Sequence, residues 1–126
     1  MPTPRPTPAE LEILRVLWTR GPSTVREVHD GLGRDRPTGY TTVLKLLQIM
    51  TEKGLARRDE AARAHVYEAK LPQSQTQRLL VRDLLDRAFG GSATQLVMQA
   101  LSARKASREE LARIRKMLDD LEGRER

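Results

Sequence analysis

Residues 38–54, TGYTTVLKLLQIMTEKG, decide how the rest of the chain reads. Val43, Leu44, Leu47 and Met50 recur at spacings of three and four, which predicts an amphipathic helix of about four turns. Thr38 is placed to cap its start, and Gly54 to end it in a left-handed turn. The opposite face carries Tyr40, Thr41, Thr42 and Lys45 in the first two turns. A helix entering a DNA major groove by its N-terminal end presents such small hydroxyls and a cation to bases and phosphates. The same face on an ordinary helix would simply be solvated, so its neighbours have to decide.

Upstream, residues 1–6 alternate proline with small or basic side chains and read as a disordered arm. Thr7-Pro8-Ala9-Glu10 is a capping box, and Leu11, Leu14, Leu17 and Trp18 form the apolar stripe of a first helix. Gly21-Pro22 stops that helix. Ser23 is expected to cap a second, with Val25, Val28 and Leu32 inward, and a polar loop with Arg34 and Arg36 leads into the central helix. Downstream, Leu55-Ala56-Arg57-Arg58 and Ala64-His65-Val66-Tyr67-Glu68 have the period of two short strands around a charged tip, residues 59–63. Alternation sends one of Arg57 and Arg58 inward and the other outward. Three helices followed by a two-stranded hairpin is the order of a winged helix-turn-helix domain, here spanning residues 7–70.

Composition agrees. The chain has 126 residues, 38% hydrophobic but only 3% aromatic (Trp18, Tyr40, Tyr67 and Phe89), which favours an aliphatic, mainly helical core. A net charge of +6 favours a polyanionic partner. Residues 1–70 hold 12 basic and 9 acidic side chains and residues 71–126 hold 11 and 8, so each part carries +3 and bulk charge does not locate the site. The absence of cysteine excludes disulfides, thiolate metal sites and a cysteine nucleophile. His29 and His65 alone make a poor zinc site, so no metal and no cofactor are expected. The N-terminus is not a signal peptide and no run has the length of a membrane span, which predicts a cytoplasmic protein without membrane insertion.

After Leu71-Pro72, residues 71–126 read as three further helices. The first carries Leu80, Leu84, Leu85 and Ala88 up to Phe89 and Gly90-Gly91. The second opens at Ser92 with Ala93, Leu96, Val97, Ala100 and Leu101 inward. The third opens at Ser107 and spaces Leu111, Ile114, Leu118 and Leu121 as a heptad-like seam. These rows are too thin to close a core of their own, so Leu80, Leu84, Phe89, Leu96, Leu111, Ile114, Leu118 and Leu121 are expected to meet a second copy in a homodimer. Two recognition helices roughly 34 Å apart would then read a palindrome.

The segment YTTVLKLLQIMTEKGLARRDEAARAHVYEA resembles the recognition helix and wing of the penicillinase repressor family, the BlaI/MecI/CopY group of bacterial repressors, and LEILRVLW and STVREVHDGL resemble its first two helices. Its most specific parts are Tyr40-Thr41-Thr42-Val43, Lys53-Gly54-Leu55 and Arg63-Ala64-His65-Val66-Tyr67. The resemblance implies a homodimeric repressor on a palindromic operator of double-stranded DNA, released when a membrane-bound sensor metalloprotease cleaves it. It aligns the family's scissile bond near Ala100-Leu101, where the residues differ from the Asn-Phe pair of the best-known members. It assigns DNA contact to Thr41 and Thr42, with Lys45 one turn on, and matches Arg58 better than Arg57. Arg63 at the wing tip suits the minor groove, and Arg36 lies within reach of the duplex. Tyr40 either stacks on the sugar-phosphate backbone or folds inward as a hydrophobic staple. Ile49 replaces an arginine common in the family, removing one phosphate contact, and the cysteines of the copper-responsive branch are missing.

Three rivals compete with this reading. An enzyme is disfavoured because no nucleophile-base pair, carboxylate dyad or phosphate loop is recognisable. A protein-interaction module would use the central helix without touching phosphates. A ligand-responsive regulator would need an apolar cavity.

Overall fold

The computed structural model describes residues 5–33, 38–61 and 63–124. Among them are six helices and three short strands: α1 Pro8–Arg20, β1 Ser23–Thr24, α2 Val25–Gly31, α3 Tyr40–Lys53, β2 Ala56–Asp59, β3 Val66–Ala69, α4 Gln73–Ala88, α5 Ala93–Ala103 and α6 Arg108–Arg124. The chain divides into two compact units, Met1–Val81 and Arg82–Arg126.

The first unit is a winged helix. Its core joins Ile13, Leu14 and Leu17 of α1, Val25 and Val28 of α2, and Val43, Leu47 and Met50 of α3 to Leu55, Ala56 and Tyr67. Every one of these helix positions follows the three-four spacing of an amphipathic helix, and burying a large aliphatic side chain contributes roughly 1.5–3 kcal/mol. The α1 stripe is rotated slightly from the sequence expectation: Ile13 is fully buried, while Leu11 and Trp18 pack at the edge. Trp18 uses its polar end there, donating from Nε1 to the Leu71 carbonyl at 3.1 Å and so fastening α1 to the segment leaving the wing. Gly31 permits the close approach of α1 and α2, since a Cβ there would lie 2.8 Å from Val16 Cγ1.

The helix starts differ from expectation in two places. Thr7 and Glu10 do form a reciprocal box, with the Glu10 amide donating to Thr7 Oγ1 at 3.2 Å and the Thr7 amide to Glu10 Oε1 at 2.8 Å. For α2, however, the cap is Thr24 rather than Ser23, and it forms a second reciprocal box with Glu27. Ser23 is instead a strand residue, buried, with its hydroxyl donating to the Gly21 carbonyl at 2.8 Å. For α3 the cap position falls on Gly39 rather than Thr38, and no side chain caps it. At the other end Gly54 adopts φ 85°, and its amide donates to Met50 and Thr51 carbonyls, the left-handed stop that the sequence suggested.

The expected hairpin is present and gains a third strand. β3 lies between β1 and β2, antiparallel to both. Tyr67 pairs with Ser23 on one side and Arg58 on the other. A two-residue strand between a Gly-Pro stop and a helix cap is too short to show a period, which is why it was illegible. His65 precedes β3 instead of lying on it, and it is exposed.

In the second unit, neither α5 nor α6 contains a buried residue. Ser92 and Ser107 each accept the amide three residues on, at 3.2 and 3.0 Å. Phe89, Leu96, Leu111 and Ile114 are half-buried, whereas Leu84, Val97, Met98, Leu101, Met117, Leu118 and Leu121 are exposed. No helix among the described residues is long and apolar enough to cross a membrane.

Candidate nucleic-acid interface

The helix α3 divides cleanly into two faces. Val43, Leu47 and Met50 are completely buried, and Thr41, Thr42, Lys45, Gln48 and Glu52 are exposed. Thr41, Lys45, Gln48 and Glu52 are separated by four, three and four residues, so they make one continuous stripe along the helix. Gln48 is thus part of the polar face that carries the threonines and Lys45. Sequence reasoning passed over it, although the spacing that selected Lys45 reaches it in one more turn.

At the start of α3, Tyr40 is neither extended alone into solvent nor folded into the core. It is 45% exposed and lies sideways against α2. The His29 ring meets it edge-on with centroids 6.2 Å apart, and the Arg26 guanidinium carbon lies 5.8 Å from its centroid. Gly39, at the cap position, provides no side-chain acceptor for the first amides of α3.

In the wing, register settles which arginine faces which way. Arg57 pairs with Glu68 across β2 and β3 and meets it in an exposed ion pair at 3.2 Å. Arg58 shares a face with Tyr67, is half-buried, and is ion-paired with Glu60. The Tyr67 phenol beside it, and then the Glu60 carboxylate, push the Arg58 pKa further up. Tyr67 itself is fully buried, with the Arg58 guanidinium beside its phenol. Arg63 is exposed at the wing tip, and Lys45 is exposed on α3. Arg36 lies outside the described residues.

The far end of α3 is fixed by an ion pair. Lys53 Nζ lies 2.7 Å from Glu10 Oε1 and 3.4 Å from the Arg5 carbonyl. Glu10 is 2% exposed. Burial alone would raise its pKa, but the hydrogen bond from Lys53, the Thr7 amide and the Lys53 charge together hold it below the ordinary glutamate value. Among the described residues no group of three or more His, Cys, Asp or Glu side chains could hold a metal ion.

The sequence model of the penicillinase repressor family matches residues 6–120. This chain belongs to that family. Transcriptional regulator BlaI of Mycobacterium tuberculosis is 31% identical over 90% of this chain and 82% of its own length. The penicillinase repressor of Bacillus licheniformis is 23% identical over 98% of this chain and 96% of its own. Among solved structures, the solution structure of monomeric B. licheniformis BlaI in complex with the blaP half-operator matches at 25% identity with a TM-score of 0.50, covering 58% of this chain and 89% of that one. Members of the family are transcriptional repressors and not enzymes.

Proposed function

We propose that the chain is a cytoplasmic homodimeric repressor whose α3 reads a palindromic operator in the major groove, with Thr41, Thr42 and Lys45 as direct contacts and Arg58, Arg63, Arg36 and Tyr40 on the flanking backbone. The observation that carries this reading is the open polar face of α3, exposed at Thr41, Thr42 and Lys45 in a winged helix like that of a relative solved on its half-operator. Thr and Lys at the head of a groove-entering helix suit phosphates, thymine methyls and guanine edges.

Dimerisation is supported by the apolar rows of the helices after the wing. Leu84, Leu118 and Leu121 stand exposed and Leu80, Phe89, Leu96, Leu111 and Ile114 half-exposed, an arrangement that costs free energy in water until a second copy covers it. Release follows cleavage by a membrane-bound sensor metalloprotease near Ala100-Leu101. Both residues are exposed on α5, and a protease gains access to that bond once this helix, without a buried residue of its own, opens locally.

Fluorescence anisotropy on a duplex from the region upstream of the chain's own coding sequence, across salt and against an unrelated duplex, tests the reading. If each dimer neutralises about eight phosphates, the log-log salt slope is near −7. Promoter preference lost in Thr42→Ala/Lys45→Ala supports operator reading. Equal binding to both duplexes, unchanged by those substitutions, overturns it.

A further inference from the structure

The geometry points to a seat for one operator backbone phosphate in the cleft between α2, the head of α3 and the wing, built by Arg26, Tyr40 and His65 with Arg63 at its rim. This inference rests on the operator reading above and adds two residues to it, Arg26 and His65. The cleft is lined from three separate elements, with Arg26 from α2, Tyr40 from α3, and Arg63 and His65 from the wing. Tyr67 also lines it.

Charge separates this cleft from its neighbours. No carboxylate among the described residues lines it, whereas the clefts beside α1, beneath Trp18 and behind β2 include Glu12, Glu68 and Glu60 respectively. On β2 the two arginines have acidic partners, Arg57 in Glu68 and Arg58 in Glu60. Arg26 makes no ion pair among the described residues and is held instead over the Tyr40 ring. That placement keeps the guanidinium oriented while leaving its N–H groups for an anion. The first turn of α3, which begins at Tyr40, adds the positive end of its dipole. A planar fork, an imidazole N–H and a phenol O–H converging from three elements suit a tetrahedral oxyanion. Because α3 itself lies in the major groove, a phosphate in this cleft belongs to the strand that passes between the helix and the wing.

Salt-dependent anisotropy and ethylation interference on the upstream duplex test the seat, with Arg26→Gln and His65→Ala beside wild type. Both residues are exposed, so the fold is kept, and unchanged thermal unfolding checks this. Arg26→Gln is expected to reduce the magnitude of the salt slope by about 0.9 per site and to leave the ratio of upstream to unrelated binding unchanged. The phosphate whose ethylation weakens wild type is expected to stop mattering in both variants. An Arg26→Gln slope equal to wild type, with the same ethylation pattern, overturns the seat even where Thr42→Ala/Lys45→Ala still abolishes promoter preference. A wild type without promoter preference, but with a slope that falls in Arg26→Gln, removes the operator reading and keeps the seat as a non-specific phosphate contact. Absence of binding to either duplex overturns both.

Discussion

Lys53 at the last turn of α3 reaches across to Glu10 in the first turn of α1, with Nζ and Oε1 2.7 Å apart. The same Glu10 closes the capping box of α1, so one carboxylate fixes a helix start and a helix end that are 43 residues apart in sequence. The pair anchors the tail of the helix whose head is proposed to enter the groove.

Removing the cation leaves that carboxylate buried without its charge partner. Lys53→Met is expected to destabilise the fold by about 2 kcal/mol, below the usual cost for a fully buried pair because Lys53 is 32% exposed and screened by solvent. Urea unfolding followed by circular dichroism checks this.

The pair also sets an acid limit. The Glu10 pKa is lower folded than unfolded, so its contribution is complete above the ordinary glutamate pKa and is lost as pH falls through the depressed folded value. The unfolding midpoint should therefore drop as pH is taken below about 4.3. In Glu10→Gln the midpoint is lower at neutral pH, and that part of the acid slope is missing.

Gly54 sits at φ 85°, where a Cβ crowds the following carbonyl. Gly54→Ala should cost about 1–2 kcal/mol, read as a lower thermal midpoint. Nearby space is not the issue, because the nearest atom to an added Cβ is Lys70 Nζ at 3.8 Å.

Trp18→Phe keeps most of the ring but removes the donor to the Leu71 carbonyl. A loss of about 1 kcal/mol is expected, together with faster amide exchange around residues 70–72, observable by NMR.

Leu118→Arg/Leu121→Arg places two charges on the exposed row of α6. Sedimentation should show a monomer, while the unfolding of the winged helix stays within about 0.5 kcal/mol, since neither residue belongs to its core.

The sequence carried the architecture well because helix packing leaves a period. Val43, Leu47 and Met50 could be picked from spacing alone, and the Thr7–Glu10 box and Gly54 stop follow from local chemistry. What escaped was set by contacts distant in sequence or too brief to repeat. The partner of Glu10 is 43 positions away, β1 is two residues long, and both Ser23 and Thr24 lie in it, so only their hydroxyl partners, the Gly21 carbonyl for Ser23 and the Glu27 amide for Thr24, decide which of them caps α2. Arg26 was overlooked because nothing in its own helix distinguishes it; its place beside Tyr40 depends on how α2 and α3 cross. Gln48, by contrast, was within reach of the same arithmetic that found Lys45.

Gly39 gives α3 an unusual imbalance between its two ends. An engineer seeking a hardier protein would install aspartate or serine there, gaining a few tenths of a kcal/mol from a better cap, since glycine is itself tolerated at that position. Aspartate would also put a negative charge where a nucleic-acid strand is to approach, so robustness and affinity pull that position in opposite directions. A glycine that looks like a missed opportunity for stability is then the setting that leaves this helix receptive, and variants selected for heat tolerance at residue 39 should lose grip on the duplex as they gain endurance.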